Sequence, residues 1–303
     1  MRSLILPLAL AAAAPAFAQT PIVIADRGPT FDRWNYPFNN TPGTRTFAST
    51  FTPGFTPGAF DDRDGQVLVS YATAADVIPG LGASNYQVLS ARLTATIAAE
   101  SSVGFAYDPT YDSFATHLLP TDPAFQPDTD MGRPVELFGT GFRAGLNAFA
   151  YGEDFAWGSG GPTQEDVRFA FALGETPSGF GDVTNNVRDR FDTTPFAIGQ
   201  STKAVGDQIV AGDELTFDLD LSNSDVASYL AQSLNQGIVS LSLTSLHFAT
   251  PDGQGDFPFF GTKESSTTAP ITLDLEVRII PAPPTAVLAG LGLLGSVTRR
   301  RRN

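Results

Sequence analysis

The chain has 303 residues, 42% hydrophobic and 17% charged, which excludes global disorder and leaves ample length for a core. All 32 acidic residues fall within 19–280, where 13 basic residues leave a net charge of −19, so no nucleic-acid partner is expected. The absence of cysteine excludes disulfides, thiolate metal sites and a cysteine nucleophile, and two histidines, His117 and His247, leave little for a histidine metal centre.

The N-terminus predicts a secretory signal peptide over residues 1–18. Arg2 supplies the positive start, Leu4 to Ala14 the short apolar run, and Ala16-Phe17-Ala18 the small residues of a cleavage site. Signal peptidase would cut after Ala18 and leave Gln19 first.

Residues 19–280 read as one extracellular body without a strong internal boundary. Trp34, in Arg33-Trp-Asn-Tyr-Pro, and Trp157 are candidate carbohydrate-stacking platforms, with core or edge packing the competing reading. Asp61-Asp62-Arg63-Asp64-Gly65 offers alternate carboxylates and a glycine, a candidate Ca²⁺ site at Asp61, Asp62 and Asp64. Phe60 and Tyr71 stand where an EF-hand needs oxygen ligands, so an aspartate-capped turn is the simpler expectation, and no other cofactor is expected. Gln66 to Tyr71 predicts a strand. Leu93, Ala95 and Ile97 alternate with Thr94 and Thr96 and predict another.

Asp108 to Pro134 reads as an inserted loop carrying buried-type residues, Phe114, Leu118 and Phe125. Its Asp108, Asp112, Asp128 and Asp130 form a second acidic group. Gly158-Ser159-Gly160 is flexible loop material and not a nucleophile elbow. Val167, Phe169, Phe171 and Leu173 alternate, predicting a strand. Val183 and Val187, four apart, suggest a short helical turn over 182–190.

Leu215, Phe217, Leu219 and Leu221 alternate with Thr216, Asp218, Asp220 and Ser222, predicting a half-exposed strand. The clearest helix follows, capped by Ser222 or Ser224, with Asp225 in its first turn. Val226, Tyr229, Leu230 and Leu234 share one face, and Asn235-Gln236-Gly237 ends it. Val239, Leu241 and Leu243 alternate with serines. Lys263-Glu264 reads as a loop-fixing pair in preference to a site acid. Ile271 to Ile279 alternates cleanly, with five apolar residues on one face.

Residues 281–303 predict a sorting tail. Pro281-Ala282-Pro283-Pro284 precedes an apolar run of 12 residues, Ala286 to Val297, and Arg299 to Arg302 follow. As a helix the run is about 18 Å long, short of a roughly 30 Å hydrocarbon core. Arg299, Arg300, Arg301 and Arg302 hold that end on the cytoplasmic side, with the body outside. The order of Pro-x-Pro, Gly/Leu-rich run and arginine cluster resembles the PEP-CTERM sorting signal of bacterial surface proteins. That resemblance implies recognition of Pro281, Ala282 and Pro283 by an exosortase-type enzyme. Ala282 departs from the glutamate that family usually carries there. A weaker resemblance links Ser90 to Ile97, Asp218-Leu-Asp-Leu-Ser, the helix to Gly237 and Phe260-Gly-Thr-Lys-Glu264 to DNRLRE-type β-sandwich domains. It implies a binding or stalk role.

The expected fold is mainly β: an antiparallel, jelly-roll-like β-sandwich with one or two short helices, a signal helix before it and a short transmembrane helix after it. The expected function is that of an exported cell-surface or extracellular-matrix protein, structural or interacting and not catalytic. The tail would tether it to the membrane, and extracellular polysaccharide is a candidate partner. The alternatives are a carbohydrate-binding module and a secreted hydrolase with a carboxylate pair.

Overall fold

The computed structural model describes residues 20–54, 60–99, 104–160, 164, 167–249 and 255–280. The signal segment and the tail, with Ala16, Ala18, Pro281, Ala282, Pro283 and Arg299 to Arg302, lie outside the described residues. Among the described residues no helix is long and apolar enough to cross a membrane.

In chain order the strands begin with β1 (Ile22–Arg27), β2 (Phe31–Asn35), β3 (Phe47–Ser49), β4 (Gln66–Ala72) and β5 (Tyr86–Thr96). They continue with β6 (Phe105–Ala106), β7 (Val135–Phe142), β8 (Ala170–Thr176), β9 (Gly179–Asp182) and β10 (Ala197–Ile198). Then come β11 (Gln208–Ile209), β12 (Glu214–Asp218), helix α1 (Ser224–Gln236), β13 (Ile238–Ser245), β14 (Phe259–Gly261) and β15 (Thr272–Ile279). The protein is mainly β, with antiparallel sheets and one α-helix among the described residues. One sheet runs β1-β15-β5-β12. The larger runs β2-β4-β13-β7-β8-β9, with β10 added on β7, and β6–β11 and β3–β14 form two small pairs.

The alternation of β15 produces its burial directly. Ile271, Leu273, Leu275 and Val277 are buried, while Asp274, Glu276 and Arg278 are half-exposed. Each buried side chain contributes roughly 1.5–3 kcal/mol by leaving water. They meet Leu93 and Ala95 of β5, Leu215 and Phe217 of β12, and Val67, Val69, Leu241 and Leu243 of the larger sheet in one continuous core. Helix α1 closes it with Val226, Leu230 and Leu234. Its cap is Asn223, one residue from each serine expected, and its side chain accepts the Asp225 N–H. Gly237 ends the helix at φ +87°, the left-handed turn that glycine adopts without a Cβ penalty.

Burial departs from simple alternation in two places. On the serine face of β13, Ser240 and Ser242 are buried. Ser70 and Ser240 hydroxyls lie 2.7 Å apart and Thr140 and Ser242 hydroxyls 2.8 Å apart, so neighbouring strands satisfy each other's polar groups. In the segment 167–173 the buried set is the opposite one, Arg168, Ala170 and Ala172. Small residues fit under Phe138 and Tyr151 there, whereas the Phe171 ring lies over the bare backbone of Gly141 and under the Arg143 guanidinium. Residues 184–190 form hydrogen-bonded turns, with the Asp189 N–H donating to the Asn185 carbonyl as in one helical turn, without a second α-helix. Asp182 accepts the Thr184 N–H, and Asn185 and Asn186 serve Asp62 and Arg63, so side chains compete with helical bonding.

The body has two poles. Ile22 of β1 pairs with Val277, and Ile280 donates its N–H to Asn85, so the entering and leaving ends lie together. The α1 C-terminus joins this pole, where Asn235 accepts the N–H groups of Gly80 and Gly82. From there β13 runs away over eight residues, roughly 23 Å, to the opposite pole at Ser245.

Candidate functional site

A partly open cavity of about 1020 Å³ occupies that opposite pole. β13 delivers Leu246, His247 and Phe248 as it ends. β7 is preceded by Gly132 and Arg133, and the inserted loop contributes Thr116 to Leu119. The turns at 182–190 add Val187 and Arg188, and Phe60 and Asp62 complete one wall. Leu118, Val187 and Leu246 pack as a small apolar cluster with Phe114 and Phe125, so the insertion is ordered by burial of its apolar residues.

Both histidines of the chain line this cavity. His247 is 4% exposed, its ring set edge-on to Phe105 at 4.9 Å, and neither ring nitrogen has a hydrogen-bond partner among the described residues. Burial, with Arg133 nearby, pushes His247 down to about 3. Burial also holds His117 well below the usual histidine range, helped by Arg133, Arg63 and His247. Both imidazoles are therefore neutral near pH 7, each with one donor and one acceptor.

Two arginines of the wall are paired with acids. Arg133 donates to Asp112 at 2.7 Å and to Asp128 at 2.6 Å, and Arg190 donates to Asp122 at 2.6 Å. Asp62 accepts the Arg188 backbone N–H at 2.8 Å, and burial raises its carboxyl to about 6.

The candidate Ca²⁺ residues Asp61, Asp62 and Asp64 do not converge on one another. Arg168, fully buried, donates from Nε to Asp61 at 2.7 Å and stands 3.6 Å from Asp64. A guanidinium occupies the place between these two acids, and Asp62 faces the cavity instead. Two other groups of three acids have oxygens within 4.8 Å of one another: Asp32, Glu153 and Glu264, and Asp108, Asp112 and Asp130. Lys263 bridges the first, with Nζ 2.6 Å from Glu153 and paired with Glu264. In the second, Thr110 donates its backbone N–H to Asp108 and its hydroxyl to Asp130, while Arg133 holds Asp112. Lys263-Glu264 thus fixes the loop before the last strand to β2 through Asp32, which accepts the Lys263 N–H.

Both tryptophans are half-buried. Trp34 stacks on Tyr36 at 5.1 Å with Phe47 and Phe51 around it. Trp157 lies 5.3 Å from the Arg168 guanidinium. Neither lines the cavity. Reading each histidine separately missed the site. The available signal was that the insertion and the end of the serine-rich strand each carry one of only two histidines.

The chain matches no protein-family model, and no curated protein is significantly similar to it.

Proposed function

We propose that the chain is an exported cell-surface or extracellular-matrix protein, tethered by a PEP-CTERM-like tail, whose body has a structural or interaction role and performs no catalysis. The order of features in the tail carries this reading: Pro281-Ala-Pro, an apolar run of 12 residues, then Arg299 to Arg302. With an N-terminal signal peptide, the arginines leave the body outside and their own end inside. Signal peptidase and an exosortase-type enzyme are the processing partners, and extracellular polysaccharide is a candidate partner.

The body is read as a jelly-roll-like β-sandwich, since two antiparallel sheets share one core through their inner faces. Its geometry suits a tether. The pairing of Ile22 with Val277 brings both ends to one pole, so one attachment leaves the cavity pole pointing away. The non-catalytic reading draws support from the acids. Lys263 pairs with Glu153 and Glu264 of one acidic group, and Arg133 with Asp112 of the other, leaving these carboxylates engaged as structural partners.

The test is the mass of the protein in membrane and medium fractions of a host that carries an exosortase. The parent should lose residues 1–18 and its tail. Replacing Arg299 to Arg302 with serine should raise release of the unprocessed chain, and replacing Pro281 and Pro283 with alanine should keep insertion and block tail removal. Retention of residues 284–303 in every form, with the arginine variant fractionating like the parent, refutes the proposal.

A further inference from the structure

The cavity at the free pole combines depth, apolar walls and an unused hydrogen-bonding group. Leu118, Val187, Leu246 and Phe248 supply apolar surface, and His247 sits among them with no partner for either ring nitrogen among the described residues. A buried polar group left unpaired costs stability, whereas one that a ligand satisfies becomes an orienting contact. We propose that this cavity binds an uncharged, largely apolar molecule bearing a hydroxyl or carbonyl group, which His247 hydrogen-bonds.

The exclusion of charge follows from the wall. Arg133 and Arg190 are engaged by Asp112, Asp128 and Asp122, and Arg188 donates to the Phe60 carbonyl at 3.3 Å and stands 4.0 Å from Asp61, so an anion would have to displace these partners to reach them. Asp62 is likewise engaged by a backbone N–H, and Asp256 lies exposed at the rim. A charged ligand would therefore give up hydration for groups already paired. A neutral imidazole can donate to a carbonyl or hydroxyl, or accept from a hydroxyl. The volume admits a ligand of several rings. The inference is independent of export and of the tail.

The test uses the full chain in lipid nanodiscs, with 2-naphthol as probe and equilibrium dialysis against empty discs. Saturable binding of one 2-naphthol per chain is expected, with naphthalene, which lacks the hydroxyl, binding roughly tenfold more weakly. His247→Phe keeps an aromatic ring beside Phe105 and should weaken 2-naphthol roughly tenfold without changing naphthalene. Leu119, half-exposed on the wall, tolerates a larger side chain, and Leu119→Trp should remove binding of both probes. This variant and the naphthalene comparison carry the test if His247→Phe does not fold. Lack of a saturable component overturns the proposal, as does binding indifferent to Leu119→Trp. Tighter binding of 2-naphthalenesulfonate than of 2-naphthol overturns the uncharged class.

Discussion

Ile22 stands opposite Val277 across the β1–β15 pair, and the next pair sets Val23 opposite Glu276. Val23 is 69% exposed and Glu276 is half-exposed, so this second pair looks outward on the same sheet face. β1 covers an edge of β15 that would otherwise offer unpaired backbone groups beside the tail. The register slips between Ile24 and Arg27, where Asp26 takes φ +47° and donates its N–H to Asp274. Such a bulge twists an edge strand and blunts it against further pairing.

Directly opposed residues have Cβ atoms about 4.5–5.5 Å apart, close enough for a disulfide with little adjustment. The chain has no cysteine of its own. Val23→Cys with Glu276→Cys should therefore close an intramolecular disulfide under mild oxidation, and the long loop so closed should raise the melting temperature. Free-thiol titration and intact mass read the outcome. Thiols that stay reactive in the folded protein would show that the two ends do not pair.

Arg168 is the cation at which two buried acids meet. It is fully buried, with Asp61 at 2.7 Å, the Asp64 carbonyl at 3.3 Å and the Trp157 ring above it. Arg168→Met keeps length but leaves the acids without their cation, and should cost about 3–5 kcal/mol in urea unfolding. Asp62→Asn keeps an oxygen for the Arg188 N–H and should change stability by less than about 1 kcal/mol. Equal effects of the two substitutions would contradict the division between an internal pair and a cavity-facing acid.

Asp32 gives stability a pH dependence. Burial raises its carboxyl to about 7, against the lowering by the Lys263 N–H, and Glu264 adds to the rise. The folded state thus holds this proton more tightly than the unfolded chain. The associated stability is complete below about pH 4 and is lost as pH rises through about 7. Asp64, also raised to about 7 by burial, acts in the same direction. His247 opposes both: held at about 3, it withdraws stability as pH falls below its ordinary value toward 3. Asp32→Asn retains an acceptor for Lys263 and has no charge to bury. Its stability should fall less between pH 5 and 8 than the parent's, with a gain on the order of 1–3 kcal/mol at pH 8. Parallel profiles for the two proteins would show that Asp32 ionises at its ordinary pH.

These groups differ in how far the sequence reveals them. The strand at Ile271 to Ile279 was legible because one face meets the core and the other meets water, so polarity reports position. Helix α1 was legible for the same reason, and its cap was missed by one residue because Ser222, Asn223 and Ser224 are all competent. Polarity misreports position at 167–173, where residue size decides and Ala170 and Ala172 are the buried side chains. The cavity was illegible because its residues come from separate segments that meet only once β7 and β13 pair. No local spacing records that convergence.

The buried hydroxyls of β13 offer the sharpest contrast with a surface strand. Ser242 and Thr140 are 0% and 4% exposed, and their hydroxyls lie 2.8 Å apart. A water-facing serine could be replaced by alanine with little effect. Here Ser242→Ala removes a partner and leaves the Thr140 hydroxyl in a dry layer, which should cost about 1–3 kcal/mol. Thr140→Val alone should leave the serine hydroxyl in the same position at a similar cost. The double variant removes both hydroxyls, leaving no orphaned group, and should lose much less than the sum of the single losses. The coupling energy from urea unfolding of the four proteins should reach about 1 kcal/mol. Additive losses would mean that each hydroxyl finds its own water, and that this face of β13 is wet.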